Sequence, residues 1–191
     1  MKTVFRAFWR RGYAATSMRD LEAETGVGTA SLYNAFGDKR ALFRTALEAY
    51  MDAHIRSRMR RLERMAPVAR IDAFVHEVVS ALADDSEPAG CLVINSVMES
   101  AAGDRGMRDY VAGCIGEVEE FIRVALEDAA AQGAISPDLP VRDVACGFMT
   151  MLLGLHVAAK LRPGLCALES AARPMLSVLR HRTFPAGRAK S

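Results

Sequence analysis

The sequence lacks the motifs that hold cofactors, catalytic metals or phosphate groups. It has no glycine-rich phosphate loop, no His-Glu-x-x-His zinc motif, no Glu-x-x-His pair of the di-iron type, and no strand-turn-helix signal that would position a nucleophile. The 4 histidines are scattered along the chain, where a partly buried or surface role is commoner than metal ligation. We therefore predict a protein that is not an enzyme and that has no cofactor and no metal site.

Cysteine pairs and aromatic side chains are also scarce. Cys91, Cys114, Cys146 and Cys166 are widely separated and form no Cys-x-x-Cys pair, so we interpret them as reduced thiols rather than disulfides. Aromatic residues make up only 7% of the chain, whereas 51% is hydrophobic and rich in Ala, Leu, Val and Met. This composition favours an all-α fold built from amphipathic helices.

A membrane-spanning run and an export signal are missing as well. The longest apolar stretch, residues 146–159, is interrupted by glycine, threonine and His156 and is shorter than the roughly 20 residues that a transmembrane helix needs. Residues 1–11 are basic and aromatic, without the leucine-rich core of a signal peptide. We expect a cytoplasmic protein that has no membrane partner.

Positive charge is concentrated in the first third of the chain. Residues 1–65 contain 13 Lys and Arg against 7 Asp and Glu, whereas residues 66–191 contain 12 against 16. A basic N-terminal part suits a partner that carries phosphate groups, such as nucleic acid. The asymmetry supports this partner but does not identify it.

Start and stop signals of two short helices follow one another in this basic part. Ser17 and Asp20 have the spacing of a reciprocal N-terminal cap, which predicts a first helix over residues 18–25. Gly26 is placed to end that helix in a left-handed conformation, and we expect Val27 to pack between the two helices. The second helix is predicted over residues 29–36, with a glycine at each end. The pattern is that of a helix-turn-helix.

The second helix has an apolar side and a small polar side. At 3.6 residues per turn, Leu32 and Phe36 face inward while Ala30 and Asn34 face outward. No acidic residue occurs within this helix, and an outward asparagine can pair with adenine in a DNA major groove. The simpler alternative is a helical hairpin that packs within the fold and does not bind DNA. Basic residues flank the two helices on both sides, which favours DNA binding. These are Arg10, Arg11, Lys39, Arg40 and Arg44.

The segment FWRRGYAATSMRDLEAETGVGTASLYNAFGDKRALF, residues 8–43, resembles the DNA-binding domain of the TetR/AcrR family of bacterial one-component repressors. The remainder of the chain is similar to that family only in length, helix pattern and order. The resemblance implies a homodimeric repressor that a small-molecule effector releases from a near-palindromic, double-stranded operator. We expect Thr29, Ala30, Ser31, Tyr33 and Asn34 to face the groove and Thr16, Ser17 and Lys39 to contact phosphates.

Hydrophobic periodicity predicts further helices after the helix-turn-helix. A long helix over residues 38–65 would connect two domains, and the nearly all-apolar helix 141–161 and the last helix, 166–183, resemble the family's four-helix dimer interface. The fold expected is thus all-α, an N-terminal three-helix helix-turn-helix domain followed by a helical effector-binding and dimerisation domain. We place the domains at residues 1–45 and 46–183 and a flexible tail at 184–191.

The resemblance also implies an effector cavity among the later helices. Candidate wall residues are Phe74, Val78, Cys91, Met98, Met107, Phe121 and Met149, although ordinary core packing accounts for them equally well. Adaptable methionine-rich walls would favour an apolar or aromatic effector.

Cys91 follows Gly90 at a predicted helix start, where free amides would lower the thiol pKa. Because some family members with a similar Gly-Cys respond to electrophiles, oxidants or metal, a thiol-based redox, electrophile or metal sensor remains an alternative. The simpler interpretation is a small side chain that packs. The third hypothesis is a helical enzyme or scaffold whose first helices only resemble a DNA-binding domain.

Overall fold

The computed structural model describes residues 2–84, 90–100, 105–161 and 164–180, without the side chains of residues 98–100. The described residues form ten α-helices and one π-helical segment, and no strand occurs among them. The predicted all-α class is confirmed. The predicted tail at residues 184–191 lies outside the described residues.

Helices α1, α2 and α3 begin and end where the local signals predict. Their bounds are Lys2–Arg11, Met18–Thr25 and Thr29–Phe36. Gly26 ends α2 with a left-handed φ of 70°, a conformation that a residue with a Cβ rarely adopts. Asp38 caps the next helix, α4 (Lys39–Tyr50), because its side chain accepts a hydrogen bond of 2.7 Å from the Ala41 amide.

The long helix expected over residues 38–65 changes type along its length. After α4, residues Met51–Arg56 form a π-helical segment, and α5 (Ser57–Leu62) continues from it. Within the segment His54 stacks on Tyr50 with ring centroids 4.8 Å apart and meets Trp9 edge-on at 5.7 Å. A three- and four-residue apolar period cannot reveal this wider turn, so the prediction of one uniform α-helix is wrong in this respect.

The later helices are separated by short connections. They are α6 (Pro67–Ala83), α7 (Leu92–Ser100), α8 (Arg105–Ala131), α9 (Val141–Ala159) and α10 (Leu165–Val178). Contacts group the described residues of 1–58 and 86–115 into one compact unit and those of 59–85 and 116–191 into another. The predicted boundary between residues 45 and 46 does not follow this grouping and stays a prediction.

The first unit has a core shared by α1, α4, α7 and the start of α8. Phe8 is fully buried and meets Phe43 of α4 edge-on, with centroids 4.8 Å apart. The indole of Trp9 donates a hydrogen bond of 3.0 Å to the carbonyl of Gly90, which precedes α7. Cys91 and Leu92 belong to the same core as the helix-turn-helix residues. The three N-terminal helices are therefore supported by residues distant in sequence.

The second unit packs α6, α9 and α10 against one another. Phe74 of α6 contacts Phe121 of α8 at 5.4 Å between ring centroids, and Phe148 and Leu152 of α9 are buried. By length and composition, with 19 residues and a mean hydropathy of 1.3, α9 could cross a membrane. The predicted apolar run, residues 146–159, is the later part of this helix, which begins at Val141. In this fold its apolar side lies in the core of the unit.

Candidate nucleic-acid interface

The start of α2 is fixed by a reciprocal cap. The Asp20 amide donates to the Ser17 hydroxyl at 3.1 Å, and the Ser17 amide donates to an Asp20 carboxylate oxygen at 2.8 Å. The Ser17 hydroxyl also donates to that carboxylate at 2.6 Å, and Arg11 lies 3.0 Å from it. Hydrogen bonds from Ser17, followed by the charge of Arg11, hold the pKa of Asp20 below its usual value. Ser17 is exposed at the beginning of a rigidly positioned helix.

Thr16 does not offer its hydroxyl to a phosphate in this fold. The side chain is only 1% exposed, and its hydroxyl donates a 2.7 Å hydrogen bond to the Gly12 carbonyl. The predicted phosphate contact through this hydroxyl therefore conflicts with the geometry, since the group is buried and already paired. Thr16 instead fixes the turn between α1 and α2.

Helix α3 exposes four of the five side chains that we expected to face the groove, whereas Thr29 is half-buried. Ala30, Ser31 and Asn34 are exposed, and Tyr33 is 46% exposed. On the opposite side Leu32 is buried in the core of the first unit, against which Phe36 packs. The 3.6-residue period thus assigned the two sides of this helix correctly.

Val27 and Glu22 depart from the expectations for this turn. Val27 is 43% exposed, so it does not pack between α2 and α3 as predicted. The Thr29 hydroxyl, at the start of α3, donates a short hydrogen bond to a Glu22 carboxylate oxygen. A carboxylate from α2 therefore reaches the beginning of α3, although α3 itself has no acidic residue. Sequence periodicity gave no sign of this contact.

Lys39 lies at the first position of α4, beside the turn that follows α3. Its amino group is 4.4 Å from the centroid of the Tyr13 ring, a cation–π contact that orients the side chain. Tyr13 in turn packs on Phe43 with centroids 4.8 Å apart. The side chain of Lys39 is thus half-buried and held in place by an aromatic ring, while its amino group carries a positive charge.

Further cations surround this surface. Arg19 is exposed on the first turn of α2. It was not selected in the sequence analysis, although its position two residues after the N-cap Ser17 could have indicated a place at this surface. Helix α1 carries Lys2, Arg6 and Arg10 at four-residue intervals along a groove of about 420 Å³ that Glu24 also lines. Arg44, one of the flanking cations, lies 4.9 Å from the Tyr110 ring centroid.

The predicted effector residues are distributed over both units. Phe74, Val78, Phe121 and Met149 are buried in the second unit, whereas Cys91 and Met107 belong to the core of the first. The side chain of Met98 lies outside the described residues. A groove of about 310 Å³ between α6 and α10 is lined by other residues, among them His76, Glu169 and Arg173.

The environment of Cys91 is opposite to that of a reactive thiolate. Backbone amides of Ile94 and Val93 at the start of α7 do stabilise the thiolate, as predicted, and so does Tyr50. Burial outweighs them and raises the pKa of the Cys91 thiol above its ordinary value. The expected lowering of this pKa is therefore wrong. Among the described residues, no cluster of three potential ligands could hold a metal ion.

Two protein-family models match the chain. One, described as bacterial regulatory proteins of the tetR family, matches residues 2–46. The other, described as a tetracyclin repressor-like C-terminal domain, matches residues 67–175. The first match contains the interface described above, and the second covers helices α6 to α9 and most of α10.

Curated proteins match over most of the chain. The uncharacterized HTH-type transcriptional regulator YezE of Bacillus subtilis strain 168 is 30% identical over 178 residues, which are 92% of each chain. The HTH-type transcriptional repressor ComR of Escherichia coli strain K12 is 27% identical over 160 residues, or 82% of this chain and 76% of ComR.

A solved structure shows a similar fold together with DNA. The TetR family transcriptional regulator CifR, in a cysteine-mutant form complexed with 26-base-pair double-strand operator DNA, has a TM-score of 0.80 and 28% identity. The similarity covers 95% of this chain and 93% of the CifR chain.

Proposed function

Because the chain belongs to the TetR family of DNA-binding transcriptional regulators, whose members are not enzymes, we propose that it is a homodimeric repressor that a small molecule releases from its operator. The observation that carries the proposal is the outward side of α3, where Ala30, Ser31, Tyr33 and Asn34 are exposed on a helix anchored by buried Leu32. A protein with this role would act in the bacterial cytoplasm.

Helix α3 would enter the major groove of duplex DNA. Asn34 can then form two hydrogen bonds with an adenine edge, while the methyl of Ala30 suits the methyl group of thymine. Ser17, Lys39 and the hydroxyl of Tyr33 supply groups suited to phosphates, which fix the register of the helix on the duplex. Two copies of α3 related by a twofold axis would read a near-palindrome.

The proposed dimer contact uses the sides of α9 and α10 that the second unit leaves exposed. On α9 the exposed residues from Cys146 to Val157 recur at three- and four-residue steps and are small or apolar, and Val157 is 58% exposed. On α10 the exposed set includes Cys166, Ala167 and Ala171. Such surfaces allow close approach of helices and carry few charges, as dimer interfaces do.

Release would work through linkage. An effector that binds better to a conformer with wrongly spaced reading helices shifts the population toward that conformer, and operator affinity falls by the corresponding factor. CifR, at 28% identity, forms a complex with 26-base-pair double-strand operator DNA, which supports a site of similar size for this chain. The buried Phe74, Phe121 and Met149 favour an apolar or aromatic effector.

A gel-shift titration tests the proposal. Purified protein is titrated against duplexes from the intergenic DNA that flanks its own gene, with shuffled duplexes of the same composition as the control, at two salt concentrations. A selective shift, a twofold-symmetric footprint and a dimer in sedimentation analysis are the expected results. Equal affinity for native and shuffled DNA contradicts operator recognition, and a footprint over a single half-site contradicts the dimer.

A thiol sensor built on Cys91 is less well supported than an apolar effector. Its thiol is buried and its pKa is raised, which disfavours reaction with electrophiles at neutral pH. A Cys91→Ala variant separates the two modes, since a thiol sensor would lose its response to an electrophile with this substitution, whereas we expect the operator affinities of the variant and of wild type to respond identically.

A further inference from the structure

Glu22 is placed where the proposed reading helix begins. On α2, Arg19, Glu22 and Ala23 are exposed, whereas Met18 and Leu21 are buried. One carboxylate oxygen of Glu22 accepts a hydrogen bond from the hydroxyl of Thr29, the first residue of α3. A Cβ added to Gly28 would lie 3.9 Å from the other oxygen, so the carboxylate spans the turn between the two helices.

This position coincides with the part of a recognition helix that meets base edges. In helix-turn-helix proteins the N-terminal residues of the second helix contact bases in the major groove. Thr29 is that first residue here, and it holds the Glu22 carboxylate beside it. We propose that Glu22 is a specificity-determining residue that accepts a hydrogen bond from the N4 amino group of a cytosine in each operator half-site. This inference rests on the proposed function, because it requires α3 to lie in the groove.

The chemistry of the carboxylate selects cytosine over the other bases. An ionised carboxylate is acceptor-only and retains lone pairs after it accepts from Thr29. In the major groove cytosine offers only an amino donor, whereas guanine and the thymine O4 offer acceptors that repel a carboxylate. Adenine offers its N6 donor beside the N7 acceptor, so a carboxylate gains one bond there but is repelled by the neighbouring atom.

Replacement by glutamine gives a test with a predicted direction. Glu22→Gln keeps the length of the side chain but presents one donor and one acceptor, the pattern that pairs with adenine N7 and N6. Wild type and variant are each incubated with a random-sequence duplex library, and bound DNA is sequenced over several rounds. We expect one position per half-site to change from cytosine toward adenine, with the cytosine preference reduced roughly five- to tenfold.

Glu24→Gln is the matched control for the charge. It removes the same negative charge from the same helix, but Glu24 pairs with Arg11 at 3.2 Å, whereas the Thr29 hydroxyl donates its hydrogen bond to Glu22. We expect this variant to raise affinity for all duplexes by a similar factor and to leave the selected motif unchanged. Thr29→Val, which removes the hydroxyl that holds Glu22, should weaken the same cytosine preference as Glu22→Gln.

The outcomes separate this inference from the function on which it rests. If wild type enriches no sequence, both are overturned. If wild type enriches a motif that Glu22→Gln reproduces at every position, Glu22 has no role in base choice and only this inference fails. A Glu22→Gln variant that merely binds all DNA more tightly, as Glu24→Gln is expected to do, has the same consequence. Circular dichroism of each variant verifies that the exposed substitutions leave the helices intact.

Discussion

At the scale of single residues, Leu32 and Asn34 define the two sides of the helix that we place in the major groove. Leu32 is buried and Asn34 is exposed, as a period of 3.6 requires. The burial of Thr16 and the Thr29–Glu22 hydrogen bond were not predictable, because each depends on atoms brought together across a turn. A pattern along one helix contains no information about such neighbours.

Asn34 provides the most direct test of base recognition. Asn34→Ala should weaken operator binding by about 1–3 kcal/mol if the amide pairs with a base, and it should relax selectivity at one position of each half-site. Fluorescence anisotropy with the operator and its single-base variants measures both effects. Ser80→Ala, an exposed substitution on α6, is the control and should change neither. Unchanged affinity of Asn34→Ala would remove this residue from the interface.

Lys39 provides a test of backbone contact. Lys39→Ala should lower affinity by a similar factor for operator and random duplexes, because a phosphate contact carries no sequence information. The slope of log K against log salt should become shallower by about one unit, as expected when one phosphate contact is lost. Thermal unfolding must be compared as well, since the Lys39–Tyr13 contact at 4.4 Å contributes to the fold. A salt slope equal to that of wild type would exclude the phosphate contact.

At the scale of elements, the ends of the first three helices were predictable because their signals are local. Ser17 with Asp20 begins α2, Gly26 ends it and Asp38 begins α4, each through bonds within four residues. The π-helical segment Met51–Arg56 was not predictable from local signals. Its His54 stacks on Tyr50, the last residue of α4, and both rings meet Trp9 of α1. The same holds for the thiol pKa of Cys91, where the local amides act as predicted but burial has the larger effect.

Helix α4 is joined to α8 by a charged contact that should depend on pH. Glu48 accepts a hydrogen bond from the Tyr110 hydroxyl and lies 2.5 Å from Arg56, across the π-helical segment. Hydrogen bonds from Arg56 and then from Tyr110 hold the pKa of Glu48 below its ordinary value of about 4.5. The stabilisation is therefore complete above pH of about 4.5 and is lost as the pH falls through the lower, folded value.

Glu48→Gln should remove this part of the pH dependence. We expect the variant to unfold at lower urea than wild type at pH 7 and the difference to shrink as the pH falls below 4. The carboxylate is about half exposed, so solvent screens the contact and the difference should be modest. Glu119→Gln is a control, and urea titrations from pH 3 to pH 7 provide the measurement. A constant difference at every pH would show that ionisation of Glu48 is not the cause.

At the scale of the whole molecule, amphipathic patterns showed which residues are buried but not what they are buried against. The first unit combines α1 to α4 with α7 and the start of α8, residues more than forty positions apart in sequence. For the same reason the six proposed effector residues with described side chains are divided between two cores. The order of the helices was predictable, whereas their grouping depends on side-chain fit across the chain.

If the proposed dimer forms through α9, a charge introduced at Val157 should weaken it. This side chain is 58% exposed on α9, so Val157→Glu costs the isolated chain little, but in a helix–helix interface it would bury a charge without a partner. Sedimentation should show that the dimer dissociates at protein concentrations at least tenfold higher than for wild type. Operator affinity should fall as well, because a monomer presents only one copy of α3 to the DNA. Val124→Glu introduces the same charge at a valine of α8 that is 38% exposed and should leave both properties unchanged. If Val157→Glu remains dimeric while Val124→Glu dissociates, the pair forms through α8, and the exposed side of α9 needs another explanation.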